Sequence, residues 1–225
     1  MKTGLPVLLS VNAGYVDTAG FLALQGLFTA HVTGNFVTFG ASMVLGTSGA
    51  VAKLLALPVF CVVVILSRIL SAALVQRGKP VVRILLALKC LLLTIGAVLA
   101  VRWGPFPDGD ALPAIVTGMV LVTALAIQNG LHRMHLGSAP PSTLMTGTTT
   151  QIMIDLADLM RGAPAEVRAA AKGRLGRMSA SVIAFALGCA AAAGLFATVQ
   201  CWCFVVPPLI TLAGLIAVGK EPLPG

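Results

Sequence analysis

Apolar residues run through this chain in long blocks, at residues 54–75, 82–101, 112–131, 178–199 and 202–218, with an earlier stretch opening at Leu5. Each block is close to the roughly 20 residues an α-helix needs to cross a hydrocarbon core. Backbone polar groups cannot stay unpaired in lipid, and no alternating barrel pattern is present, so the blocks predict transmembrane helices. Lys2 leads straight into the first stretch and no A-x-A-like site closes it, which predicts a retained helix rather than a cleaved signal.

Two polar, glycine-bearing stretches break the pattern. One is His31, Val32, Thr33, Gly34 and Asn35, opening a segment to Thr47; the other is Leu144, Met145, Thr146, Gly147 and Thr148, opening a segment to about Met160. Each follows a span with polar groups of its own: Asn12, Tyr15 and Asp17 in the first case, Gln128 and Asn129 in the second. Each is followed by two further spans. The chain therefore reads as two copies of one unit, residues 1–103 and 104–225, within a single membrane domain. About 15 helical residues reach only about 22 Å, short of a core about 30 Å thick. The Thr-Gly segments are thus expected to be broken or re-entrant, which leaves three crossings per unit and inverts the second copy. The expected fold is all-α, with about six transmembrane helices in two inverted three-helix repeats, the pattern associated with secondary transporters. Two plain helical hairpins with a threonine-rich bend remain the alternative.

Composition and charge sharpen this reading. The 225 residues are 58% hydrophobic and 10% charged, against about 25% charged in a soluble domain. A net charge of +8 would suggest nucleic acid in a soluble protein, but here the basic residues lie between the helices. Eleven of the fifteen, including Lys2, Arg77, Lys79, Arg83, Arg133, Arg161, Arg168, Arg174, Arg177 and Lys220, fall on one side. The positive-inside rule makes that side, and both termini, cytoplasmic. Lys53 and Arg102 fall on the other side, beside Asp108 and Asp110. Residues 164–177 suggest either a short basic interfacial helix, with Pro164 at its start and Glu166 in its first turn, or a solvated linker. The five cysteines read as small buried apolar residues.

The residues Gly14, Tyr15, Val16 and Asp17, then the run from Phe28 to Asn35, then Ile127, Gln128, Asn129 and Gly130, then Thr143 to Thr148 resemble the YoaK-like family of bacterial inner-membrane proteins. That resemblance covers nearly the whole chain and implies a six-helix inner-membrane protein of a family defined as a domain of unknown function. It carries over no activity, substrate or cofactor. Asn35 has Thr148 as its counterpart, so the two Thr-Gly sites need not be equivalent.

Among single residues, Asp17 stands out, because a carboxylate inside a span belongs against the bundle or a wet cavity. It either binds a cation or proton, or serves as a structural group paired with Arg68 or capping a broken helix. Arg68, deep in its span, suits an anion or Asp17. His31 is either a proton relay or a hydrogen-bonded neighbour. The Thr-Gly segments, with Thr33, Asn35 and Thr146, would present hydroxyls, an amide and exposed backbone at helix starts, or merely pack; a site between the two repeats would be lined by Asp17, Asn35, Arg68, Asn129 and Thr146. Lys89 reads as a snorkelling residue. Gly188, Ala190, Ala192 and Gly194 read as one packing surface, and Pro58, Pro113 and Pro207–Pro208 as kinks. No metalloprotease, serine-elbow or phosphate-loop signature is present, and the aspartates do not form a membrane-protease pair. The expectation is a non-enzymatic small-molecule permease without cofactor, metal or nucleic-acid partner, meeting the lipid bilayer and a small polar or ionic substrate. The rival is a scaffold or lipid-interacting protein.

Overall fold

The computed structural model describes residues 4–219; Lys2 and Lys220, both counted in the charge bias, lie outside them. Among the described residues the chain is entirely helical. The order is α1 (Gly4–Ala23), α2 (Asn35–Leu45), α3 (Ala50–Gln76), α4 (Val81–Trp103), α5 (Leu112–His135), α6 (Met145–Met160), α7 (Ala165–Val199) and α8 (Val206–Gly219), with 3-10 turns at Val32–Gly34 and Gln200–Val205. By length and composition α1, α3, α4, α5 and the run Ala165–Val218 can each cross a membrane. The exterior supports that reading: Val44, Leu45, Ile65, Ile69, Leu187 and Trp202 all point outward, whereas Ser10, Asn12, Asp17, Lys89, Thr117 and Gln128 are buried. An apolar outside around polar groups is the arrangement lipid selects. This is a helical membrane protein.

Helices pair out of sequence order. α1 lies along α7, α5 lies along α3, and α4 packs on both α5 and α8. Contacts fix the directions. Ser10 meets Ser181 and Gly14 meets Phe185, so α1 and α7 run parallel. Gly130 touches Ser67 and His135 bonds Ser71, so α3 and α5 also run parallel. Asn12 meets Thr211 while Tyr15 meets Cys203, so α8 descends beside α1, antiparallel to it. The chain therefore reverses between α7 and α8, at the turn begun by Gln200 with φ 50°. Glycines allow the α1–α7 approach. A Cβ on Gly14 would collide with the carbonyl oxygen of Phe185, and one on Gly188 with that of Val11.

The loop at residues 104–111 marks one end of the bundle and the loop at 136–144 the other, with α5 between them. At the first end, Asp110 accepts the backbone N–H groups of Gly49, Ala50 and Val51 at 2.8–3.2 Å, capping α3 with a negative charge where its dipole is positive. Lys53 is buried beside it and donates to Ser42 at 2.6 Å. Gln25 donates to the Phe106 carbonyl and Ser48 accepts from Gly109, so both flanks of α2 meet the same loop. Gly46, at φ 66°, ends α2 in the left-handed turn that a Cβ disfavours.

Three local expectations change. Residues 165–177 form no separate interfacial helix but are the first turns of the 35-residue α7. Pro113 and Pro207–Pro208 sit in the first turns of α5 and α8, where a missing N–H costs nothing, so only Pro58 lies inside a helix. On α7 the packing face is Ser181, Ala184, Gly188 and Ala192, whereas Ala190 and Gly194 face outward.

Candidate functional site

Where α1 ends at Ala23, the chain loops back to start α2, and Asp17 holds that loop. Its Oδ1 accepts the N–H groups of Thr29 and Ala30, both at 2.7 Å, and its Oδ2 lies 2.6 Å from His31 Nδ1. A carboxylate that accepts several N–H bonds satisfies donors that would otherwise be orphaned in a buried loop. Asn35 closes the same loop by accepting from Phe28 N–H at 2.9 Å and donating to the Phe28 carbonyl at 2.8 Å. His31 stacks edge-on against Phe185 of α7, with ring centroids 5.3 Å apart.

The second half holds its loop with different chemistry at the same spacing. Thr143 donates to Asn129 Oδ1 at 2.6 Å, fourteen residues apart, as His31 is from Asp17. Asn129 offers an amide where α1 offers a carboxylate. The next residues tie the loop deeper: Gln128 Nε2 donates to Ser142 Oγ and to the Leu9 carbonyl, both at 2.9 Å, and Ser181 donates to the Pro141 carbonyl at 3.1 Å.

Behind Gln128 sits Lys89. It is fully buried, and its Nζ donates a short hydrogen bond to Gln128 Oε1. Among the described residues no carboxylate pairs with it. The snorkelling expectation therefore fails. Lys89 shares a helix face with buried Leu85, Leu86, Leu93 and Gly96, which aims its side chain at α5 rather than at the helix end.

On the other side of the 136–144 loop lies a cavity of about 420 Å³. Phe60 and Val64 of α3 and Leu144 and Met178 form its apolar walls, Asn129 and Thr143 line it, and Arg133, Arg174 and Arg177 also reach it. Arg174 grips buried Asp155 of α6 through two bonds, at 3.1 and 2.6 Å. Hydrogen bonding from that guanidinium holds the Asp155 carboxyl below the usual carboxylate range. His132, also in the wall, lies 3.3 Å from the Ala139 carbonyl through Nε2, while its buried Nδ1 has no partner among the described residues.

The seven expected site residues thus do not converge. Asp17, His31 and Asn35 form one cluster, with Thr33 nearby and exposed. Asn129 lines the cavity, whose 136–144 loop meets α7 at Ser181, one turn from the Phe185 that packs on His31, and Thr146 faces outward on α6. Arg68 is exposed on α3 and does not pair with Asp17; its charge acts on His135, at the end of α5. Being level with that end, Arg68 sits nearer the surface than its place in the apolar block suggested. α2 packs on α3 and α6 on α7, so the two Thr-Gly helices do not form a shared surface. No group of three or more His, Cys, Asp or Glu among the described residues could hold a metal ion.

Residues 5–217 match the family described as a protein of unknown function, DUF1275. The chain belongs to this family. The YoaK-like proteins belong to it too, so the resemblance carried by the Asp17 and Thr-Gly motifs stands. No curated protein matches the chain. No solved structure matches it either. Within this DUF1275 member the residues that sequence reasoning missed are Lys89 and the arginines of the cavity. No sequence signal set the face of Lys89 apart, because α4 is apolar all round, and the arginines were visible only as charge between the spans.

Proposed function

We propose that the protein is a non-catalytic permease for a small polar or ionic molecule in a bacterial inner membrane. Buried Lys89 carries this reading. A cation at the centre of a span costs about 2.5–3.5 kcal/mol on insertion scales, so such residues mark substrate or ion pathways by default. Lys89 is linked through Gln128 and Ser142 to the loop that walls the cavity. The parallel pairings of α1 with α7 and α3 with α5, and the matched Asp17–His31 and Asn129–Thr143 contacts, fit two inverted three-helix halves. The reversal before α8 supports a sixth crossing, and the return of both α2 flanks to one loop supports a re-entrant segment. With the charge bias, the cavity end is cytoplasmic.

The rival scaffold expects Asp17 paired with Arg68 and no polar cavity. The Asp17–His31 contact and the arginine-lined cavity favour the permease. The Thr-Gly helices pack on different partners, α2 on α3 and α6 on α7, so the site proposed is the second-half cavity rather than a cleft shared by both segments.

A thermal-shift screen of the purified protein against metabolites supplies a ligand, and its uptake into proteoliposomes tests transport. Lys89→Met is the decisive variant. Removing the amine leaves Gln128 Oε1 without its donor, which costs about 1–3 kcal/mol, against the gain from no longer burying the Lys89 head group. The expected protein folds, melts within that range of the parent and has lost uptake. Uptake at the parental rate would assign Lys89 to structure and favour the scaffold.

A further inference from the structure

We propose that the cavity between α3, α5 and α7 binds a phosphate-bearing anion through Arg133 and Arg177, beside an Arg174 already fixed by Asp155. As a substrate site it rests on the permease reading; as a binding site it rests on the cavity. Arg133 stands in the last turn of α5 and Arg174 and Arg177 in the early turns of α7, yet all three line one concavity of about 420 Å³. That volume suits a small ligand.

Charge accounting identifies the ligand class. Asp155 is taken by Arg174 at 2.6 Å and Asp158 by Arg161 at 2.7 Å. Among the described residues Arg133 and Arg177 pair with no carboxylate. Two uncompensated positive charges therefore remain at the cavity. A phosphate monoester carries about −1.5 to −2 at neutral pH and offers several acceptor oxygens. Guanidinium forks match that geometry, which an ammonium does not. The Asp155 clamp holds Arg174 in place, so one wall of the site is ordered before the ligand arrives. His132 adds a buried polar atom without a partner in the same wall, a cost that native structures tend to keep at functional places. Phe60, Val64 and Met178 leave room for the apolar or sugar part of the ligand.

A phosphate head can come from a soluble organic phosphate or from an anionic lipid, and the test separates them. The full chain is placed in nanodiscs of phosphatidylcholine, and melting is followed against glycerol phosphate, with chloride at matched ionic strength as control. In parallel, discs containing phosphatidic acid, whose head is a phosphate monoester, are compared with pure phosphatidylcholine. The parent should be stabilised saturably by one of the two phosphates and not by chloride. R133Q/R177Q should bind at least tenfold more weakly, and R133K/R177K should lie between, because charge is kept and the fork is lost. Both variants change exposed residues that make no hydrogen bond or ion pair among the described residues, and should keep the parental melting temperature without ligand. Equal stabilisation of parent and R133Q/R177Q, or an equal effect of chloride, overturns the proposal, as does a flat response in both arms. Phosphate binding with no solute uptake in proteoliposomes upholds the site and defeats the permease. Uptake of a screened ligand that is untouched by R133Q/R177Q does the reverse.

Discussion

Asp17 shows how one side chain can be both costly and necessary. Its carboxylate is 4% exposed, and it is kept soluble in the protein interior by two backbone N–H groups and the His31 ring. Hydrogen bonds to a charged group contribute about 1.5–3 kcal/mol, and stranding buried donors adds to the loss. Asp17→Ala should therefore destabilise the protein by about 3 kcal/mol, read as a fall in thermal or denaturant midpoint. Asp17→Asn should cost less, because one amide oxygen still accepts from Thr29 and Ala30. Adding Arg68→Leu should restore neither variant, since Arg68 is not the partner; rescue would contradict the geometry. That Asp17 lies inside and matters was legible from a carboxylate in an apolar span. Its partner was not, because His31 reaches it through a loop whose course no periodicity records. Lys89 was misread for a related reason: in lipid both faces of a helix are apolar, so hydropathy does not say which one is buried.

At the scale of elements, two contacts define how the helices fit. The α1–α7 approach requires Gly14 and Gly188, where a methyl group would strike backbone carbonyls that cannot move aside cheaply. Overpacking of this kind costs about 1–3 kcal/mol, so Gly14→Ala and Gly188→Ala should each lower stability by that amount. Gly194→Ala, with open space around it, should be silent or slightly stabilising. Equal effects at Gly188 and Gly194 would refute the packing.

The second contact is the Asp155–Arg174 clamp between α6 and α7. Because the folded carboxyl sits below its unfolded value, its contribution is complete above the ordinary carboxylate pKa and disappears as pH falls through the lower folded one. Midpoints of the parent should therefore drop towards Asp155→Asn in acid, below about pH 4, and exceed them at neutral pH. A gap between the two that does not change with pH would show that the clamp is absent. The shortness of α2 and α6 was readable from counting residues against membrane thickness. The 35 residues of α7 were not, because its basic first turns resemble a linker in composition while Pro164 and Glu166 already start the helix.

Across the whole molecule, the two ends of the bundle differ in charge and in what they gather. Thr47 and the 104–111 loop belong to one end, and Arg168 to the first turns of α7 near the other. In a background without the five native cysteines, Thr47→Cys and Asp108→Cys should react with an impermeant thiol reagent from the periplasm, and Arg168→Cys only after the cytoplasm is opened. Labelling of Thr47→Cys and Asp108→Cys from opposite sides would break the topology. The helical, membrane-type character was the most legible feature, because hydropathy and span length are additive along the chain. Helix pairing was the least legible, because α1 chooses α7 over its sequence neighbours through glycine contacts that no local pattern announces.

That pairing also sets an order of events during synthesis. α1 is the least hydrophobic of the candidate spans, with a mean hydropathy of 1.2 over its best window. Its polar residues Asn12 and Tyr15 find their partners in Pro207, Thr211 and Cys203, 188–199 residues further along the chain. Until that stretch is made, the first helix sits with unanswered hydrogen-bonding groups. An interrupted or shortened chain is left with those groups exposed to lipid, a ready mark for quality-control proteases, and only a completed one can hide them.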